Sequence, residues 1–153
     1  MTLDQSQRRL LSAARSYLGV KWRHCGRSRV GVDCAGLVWC MYRDCGVAMP
    51  DRQNYGRNPF QDGLEAAIGD AVGNPVWLGA KGSCLRDFLR PADVVVMAPA
   101  SQPRHVGIIG DDLMHGLSLI HSEGAPGPGK VVELGLSSTD QNKITAIYRR
   151  ALP

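Results

Sequence analysis

The sequence lacks any long hydrophobic run, and no apolar stretch approaches the roughly 20 residues that cross a bilayer. Its first 19 residues carry Arg8, Arg9 and Arg15. They lack the apolar block and the small-residue cleavage site of a secretory signal. We therefore expect synthesis in the cytoplasm without a signal peptide, export by another route, and no membrane partner.

The sequence also lacks a C-x-x-C pair, and its cysteine count of five is odd. Without a secretion signal, this count does not favour a disulfide framework. A zinc site built from His24, Cys25, Cys34 and Cys40 would need unusual spacings, so we expect no metal and no cofactor. Most of these thiols are expected to behave as small buried hydrophobic groups.

Lysine is scarce, since fourteen of the 18 basic residues are arginine. Residues 1–60 hold 10 basic and 4 acidic groups, whereas residues 61–153 hold 8 basic and 10 acidic groups. A basic half is compatible with nucleic acid, with an anionic small substrate, or with a solubilising surface. Because the arginines do not follow one recognition helix, we expect no nucleic-acid partner.

The chain has 153 residues, enough for a single domain over residues 1–153. Apolar periodicity predicts a helix over residues 4–18, a loop over 19–32, a helix starting at Asp33 or Cys34, and a short helix over 63–72. Later segments rich in Val and Ile predict strands. These strands cover residues 94–98, 105–109, 117–122, 131–134 and 144–149. Helices followed by strands indicate an α+β fold with an antiparallel sheet, and residues 124–129 read as a hairpin tip.

Cys34 differs from the other thiols because it opens the second predicted helix. Backbone N–H groups and the dipole at a helix N-terminus stabilise a thiolate and can receive an oxyanion. The neighbours Ala35 and Gly36 are small enough to let a substrate backbone approach. We therefore expect a lowered thiol pKa at Cys34, although a buried structural cysteine is the competing interpretation.

A thiol nucleophile needs a base and a group that orients the base. His105 begins one predicted strand, and His121 lies on another that could be its neighbour. His115 falls in the probable turn between them, and His24 lies in the basic loop ahead of Cys34. Each histidine taken alone is more often structural than catalytic.

These residues together resemble the NlpC-type cell-wall cysteine peptidases, a papain-like family. The resemblance rests on five segments in this order: Tyr17-Leu18-Gly19-x-x-Trp22, Asp33-Cys34-Ala35-Gly36-Leu37-Val38, Leu89-Arg90-Pro91-Ala92-Asp93-Val94-Val95, His105-Val106-Gly107-Ile108 and Ile120-His121-Ser122. The stretch of Trp22, Arg23 and His24 is most similar to the subgroup encoded with phage tail genes and gene-transfer particles. The implied fold packs N-terminal helices on a central antiparallel sheet, with the nucleophile at a helix N-terminus.

The resemblance implies a catalytic triad of Cys34 as nucleophile, His105 as general base and His121 as the residue that orients the base. The spacing between the two histidines is longer than is usual, so His115 is an alternative third member. Trp22 stands where the family usually has a tyrosine, and Ala35 where it often has a serine. Ala92 replaces the usual glycine.

The implied substrates are peptidoglycan stem peptides, which carry several carboxylates. The expected substrate-binding residues are Trp22, Arg23, His24, Asp33 and Ala35. The other cations ahead of the nucleophile are Lys21, Arg27 and Arg29, which could pair with substrate carboxylates or merely line an exposed loop. The expected partners are phage tail-tip proteins. Two alternatives are an amidase that cuts between sugar and peptide, and a structural tail-tip protein with a vestigial site.

Overall fold

The computed structural model describes residues 2–56, 63–79, 85–98, 105–112, 114, 116–124 and 129–153. Helix α1 spans Gln5–Arg15, shorter than the predicted 4–18. Asp4 caps it by accepting a hydrogen bond from the Gln7 N–H, and the Gln7 side chain accepts one from the Asp4 N–H. The chain then turns at Gly19, whose φ of 82° is left-handed and whose N–H bonds the carbonyl of Val131 at 2.9 Å.

Helix α2 spans Cys34–Asp44 and begins where the sequence predicted. Asp33 is its N-cap, and Gly46 adopts a φ of 84° just beyond its end. Helix α3 spans Leu64–Val72, within the predicted range of 63–72. Helix α2 packs against α1 and against the sheet. In the described part of the chain, no helix has the length and apolarity needed to cross a membrane.

The strands form a six-stranded sheet in which all neighbours are antiparallel, so the predicted fold class is confirmed. The order along the sheet is β3-β8-β4-β5-β6-β7. Its strands are β3 (Pro75–Leu78), β4 (Val94–Met97), β5 (His105–Asp112), β6 (Gly116–Ser122), β7 (Val131–Gly135) and β8 (Ile144–Tyr148). A separate two-stranded hairpin of β1 (Arg27–Ser28) and β2 (Gly31–Val32) lies within the segment predicted as loop.

Besides the β1–β2 hairpin, three further elements were not predicted from the sequence. They are strand β3 and the four-residue helices α4 (Leu85–Phe88) and α5 (Ser138–Gln141). Three predictions fall outside the described residues, those for Cys84, His115 and most of the tip at 124–129.

The sheet separates two apolar clusters. The larger cluster lies between the sheet and helices α1, α2 and α3, and the smaller covers the opposite face. Val106 and Ile108 of β5 belong to the larger cluster, whereas Ile109 belongs to the smaller one. This alternation fixes which face of β5 packs toward α2, because a slip of one residue in strand pairing would turn its apolar side chains to the wrong face.

The turn before β4 is held by a buried ion pair. Asp93 is fully buried and accepts two hydrogen bonds from Arg149, at 2.7 and 2.8 Å, and a third from the Arg90 N–H. Ala92 adopts a left-handed φ of 71°, which explains why glycine is usual at this position. The Asp93 carbonyl then accepts the Ile109 N–H at 2.8 Å and so aligns β4 with the strand that begins at His105.

Candidate active site

The start of helix α2 is organised around the carboxylate of Asp33. The residue is only 4% exposed, and its side chain accepts four hydrogen bonds. Oδ1 accepts the Gly36 N–H at 2.7 Å and the Arg27 guanidinium at 3.2 Å. Oδ2 accepts the Cys25 N–H at 2.7 Å and the Tyr55 hydroxyl at 2.5 Å. Asp33 therefore positions the start of α2, and its role in binding substrate stays a prediction.

Cys34 is the first residue of α2 and is half-buried. Burial raises the pKa of its thiol to about 11, and the neighbouring charge of Asp33 adds to the rise. Hydrogen bonds from the backbone at Val106, Ala35 and Cys34 itself lower the pKa but do not compensate. The expectation of a lowered pKa is thus wrong for this structure, because desolvation outweighs the stabilisation of a thiolate at the helix N-terminus. The contact with Val106 places the sulfur at the beginning of β5.

His105 and His121 lie on neighbouring antiparallel strands, and their rings meet edge to face. Nε2 of His105 is 2.9 Å from Nδ1 of His121. Burial lowers the pKa of His105 to about 3, assisted by His121 and by the charge of Lys143. Burial also lowers the pKa of His121, against the opposing charges of Glu123 and Asp140. Both imidazoles are therefore neutral at neutral pH.

The contact between the two rings is compatible with a tautomer that suits base catalysis. If Nε2 of His105 carries the proton, it donates to Nδ1 of His121 and leaves Nδ1 of His105 with a free lone pair. This is the nitrogen that can accept a proton from a thiol. At rest, the thiol at the start of α2 and the imidazole at the start of β5 are thus both neutral.

Because the Cys34 thiol and the His105 imidazole are both neutral at rest, the rate of alkylation of Cys34 should depend on pH. We expect the rate of labelling by iodoacetamide to rise about tenfold per pH unit through the neutral range, because the thiolate fraction grows toward a pKa of about 11. Peptide mapping by mass spectrometry after timed labelling measures the rate, with Cys45→Ala as a control that should show the same profile. A rate that is flat from weakly acidic to weakly basic pH would reveal a preformed thiolate instead.

The depressed pKa of His105 predicts a loss of stability in acid. Its pKa is about 3 in the folded chain against an ordinary 6.5, so the unfolded chain binds the extra proton as pH falls between these values. Stability therefore decreases on acidification, by up to about 1.4 kcal/mol per pH unit from this group. Urea unfolding of wild type and His105→Gln at several pH values isolates the effect, because other groups cancel. A difference between the two proteins that is independent of pH would contradict it.

Of the predicted substrate-binding residues, Asp33 and Ala35 flank the nucleophile in the chain, whereas Trp22, Arg23 and His24 belong to the preceding loop. The Trp22 N–H bonds the carbonyl of Gly129 at 2.8 Å, and Trp22 forms a parallel bridge with Val32. The rings of Trp22 and His24 lie 6.3 Å apart. Arg23 is exposed. The half-buried Ala35 lines a cavity of about 170 Å³. Their roles in binding substrate stay predictions.

Two of the cations proposed to bind substrate carboxylates are occupied within the fold. Arg27 is mostly buried and bonds Asp51 at 2.9 Å as well as Asp33. Arg29 lies over the Tyr17 ring at 3.9 Å and reaches Asp44. The suggestion that Arg27 meets substrate stays a prediction, and the charge of Arg27 is already shared between Asp33 and Asp51.

A groove of about 550 Å³ adjoins the histidine pair on the sheet face opposite α2. His105 and His121 line it together with Leu119, Lys143 and Asp140. The groove gives solvent and small molecules a path to the two imidazoles.

Tyr55 takes part in the hydrogen-bond network around Asp33, a role that was not predicted from the sequence. Its hydroxyl donates to Asp33 and accepts from the Arg27 guanidinium at 3.0 Å. Its ring meets His24 edge-on at 5.6 Å. It belongs to an irregular segment 22 residues beyond Asp33, where no motif marks it.

A helix that begins at a cysteine and packs on an antiparallel sheet bearing paired histidines defines a papain-like fold. Residues 19–125 match the sequence profile of the NlpC/P60 family. The chain therefore belongs to the NlpC/P60 family. No curated protein matches the sequence.

Solved structures of this family share the fold. An NlpC/P60 family protein from Bacillus cereus ATCC 10987 is 18% identical, with a TM-score of 0.64 over 98% of this chain and 42% of its own. NlpC1 from Trichomonas vaginalis is 15% identical, with a TM-score of 0.61 over 99% and 47%. The NlpC/p60 domain of the peptidoglycan hydrolase SagA is 15% identical, with a TM-score of 0.53 over 94% and 97%. The chain spans less than half of the first two proteins and nearly all of the SagA domain.

Proposed function

We propose that this protein is a cysteine hydrolase that cleaves amide bonds in peptidoglycan stem peptides. The observation that carries the proposal is the contact of 2.9 Å between His105 and His121, at the strand start that hydrogen-bonds the Cys34 sulfur. A thiol at a helix start, a base and a group that orients the base are the parts that thiol acyl transfer needs. The relatives named above include a peptidoglycan hydrolase, which supports the choice of substrate.

The proposed reaction has two halves. Nδ1 of His105 takes the thiol proton as the Cys34 sulfur attacks the amide carbonyl, and the Cys34 N–H stabilises the oxyanion. His105 then gives that proton to the leaving amine, and a thioester remains on Cys34. In the second half, His105 removes a proton from water as the water attacks the thioester, and the acid product leaves with the thiol restored.

The substrate's carboxylates have two exposed partners near the nucleophile. Arg23 and Lys21 are both exposed. The Arg23 N–H bonds the carbonyl of Val32 at 3.2 Å, which brings this segment beside the residues that precede the nucleophile. We expect Arg23 to contribute more than Arg27, whose charge is balanced by Asp33 and Asp51.

Defined muropeptides test the proposal. Wild-type protein should release fragments whose masses correspond to cleavage within the stem peptide, whereas Cys34→Ala should release none. Cys45→Ala is the matched control, because this half-buried thiol lies at the end of α2 and should be dispensable. Release of the intact stem peptide from the sugar would identify an amidase. Absence of any product from wild type would favour a structural tail-tip protein.

We further propose that the protein is made in the cytoplasm and carried to the wall as part of a phage-tail-like particle, docked on tail-tip proteins. Support comes from the likeness of Trp22, Arg23 and His24 to the phage and gene-transfer subgroup. Mass spectrometry of purified particles should find the protein at low copy number. Its absence from particles and presence free in the lysate would indicate a role in lysis from within.

A further inference from the structure

Three side chains with metal-binding atoms converge beside the nucleophile. One ring nitrogen of His24, the sulfur of Cys25 and a carboxylate oxygen of Asp33 all lie within 4.8 Å of one another. Imidazole, thiolate and carboxylate are the ligand types that zinc takes, and three protein ligands with a fourth position open is a common arrangement. The thiolate favours zinc over magnesium or calcium, which prefer oxygen ligands alone. This set differs from the four-residue site that the sequence spacings disfavoured, which included Cys34 and Cys40, and it departs from the expectation of no metal.

The backbone holds the middle ligand in an unusual conformation. Cys25 has a φ of 54°, one of two positive values at non-glycine residues in the described part of the chain. In this conformation its N–H bonds Asp33 Oδ2, and its thiol donates to the carbonyl of Gln53 at 3.1 Å. The Cys25 sulfur is thus held within 4.8 Å of a carboxylate oxygen of Asp33.

The local charges suit a divalent cation. Asp33 and Asp51 both contact Arg27, at 3.2 and 2.9 Å, so one positive group is shared by two carboxylates. Coordination by Cys25 as a thiolate would add a second uncompensated negative charge.

A metal ion at this place must compete for Asp33. The carboxylate already accepts four hydrogen bonds, which use all of its lone pairs. The donors Gly36 and Cys25 are backbone groups, and Arg27 is fixed by Asp51. Among the four donors, the Tyr55 hydroxyl is the one that is neither a backbone group nor a charged side chain.

We propose that His24, Cys25 and Asp33 form a zinc-binding site, and that zinc displaces Tyr55 from Asp33. Binding releases the Cys25 thiol proton to solvent.

Binding is measured in a Cys34→Ala background, which removes the thiol of the hydrolytic site as a ligand. Cobalt(II) should give a thiolate charge-transfer absorption in the near ultraviolet, and zinc should abolish it. Adding Cys25→Ser should remove the absorption and weaken zinc binding by about tenfold or more in calorimetry. Adding Cys45→Ser instead should change neither. Adding Tyr55→Phe should tighten zinc binding, because it frees a lone pair of Asp33.

Different results would overturn the location of the zinc ion and its competition with Tyr55 for Asp33. Equal zinc affinity with and without Cys25→Ser, in proteins whose circular dichroism is unchanged, would place the ion elsewhere. Unchanged or weaker binding after Tyr55→Phe would refute the competition for Asp33. His24→Asn is a second ligand variant and should weaken binding as Cys25→Ser does. None of these measurements uses hydrolase activity, so the zinc site and the proposed function fail independently.

Discussion

Replacement of His105 by alanine is expected to lower the turnover of muropeptides by about 10³-fold or more, since general base and acid catalysis are lost together. The neutral thiol makes this loss large: with a pKa of about 11, Cys34 depends on a base for its ionisation. His105 is the imidazole at the strand start whose neighbour Val106 hydrogen-bonds the Cys34 sulfur. The measurement is kcat on a defined muropeptide.

His121 should not be equivalent to His105. His121→Gln can offer a carbonyl oxygen to Nε2–H of His105, so it should keep a measurable fraction of wild-type turnover. His121→Ala should lose more, because the His105 ring can then adopt the wrong tautomer. Damage from His115→Ala together with a silent His121→Ala would show that the third member is His115. Equal activity of His105→Ala and wild type would refute the base assignment.

The predictable parts of the fold carry strong local signals. Asp33 as N-cap and Gly46 beyond the last turn mark both ends of α2 in the sequence. The runs of Val and Ile mark β4, β5, β6 and β8, because such runs are a strong local signal for strands. Strand β3 was missed because it is an edge strand that begins at Pro75 and alternates between exposed and half-exposed residues. Helices α4 and α5 have four residues each, too few to show a helical period.

The parts of the site that could not be predicted depend on contacts distant in sequence. The raised pKa of Cys34 arises from burial against β5, which a helix-start argument does not contain. Arg27 was expected to be available because its segment reads as a basic loop. The β1–β2 hairpin folds it back onto Asp33, and the later segment supplies Asp51 and Tyr55. Charge counting along the chain cannot show such pairing.

Replacement of Asp33 by alanine should give the largest loss of stability among single changes at the site. Asp33 and Arg27 have side chains only 5% and 11% exposed, so solvent screens their interaction weakly. Removal of one partner from a buried ion pair costs about 3–5 kcal/mol, because the remaining charge loses its compensation. Arg27 keeps Asp51, which places the expectation at the lower end of that range.

The loss of stability in Asp33→Ala has a second component, because three more hydrogen-bond donors lose their acceptor. These are the N–H groups of Gly36 and Cys25 and the hydroxyl of Tyr55. Asp33→Asn can retain one cap bond to Gly36, so it should lose less, about 1–2 kcal/mol. Asp70→Ala is the matched control. Asp70 pairs with Arg52 at the surface, where both side chains are about half exposed, and an exposed pair contributes about 1 kcal/mol or less.

Urea unfolding at neutral pH measures all three variants. The expected order of the free energy of unfolding is wild type close to Asp70→Ala, then Asp33→Asn, then Asp33→Ala. If Asp33→Ala were as stable as Asp70→Ala, the buried network would not hold the start of α2. The activity of Asp33→Asn adds a second measurement on a folded protein. Because its weaker cap leaves Cys34 less firmly placed against β5, kcat should fall more than KM rises.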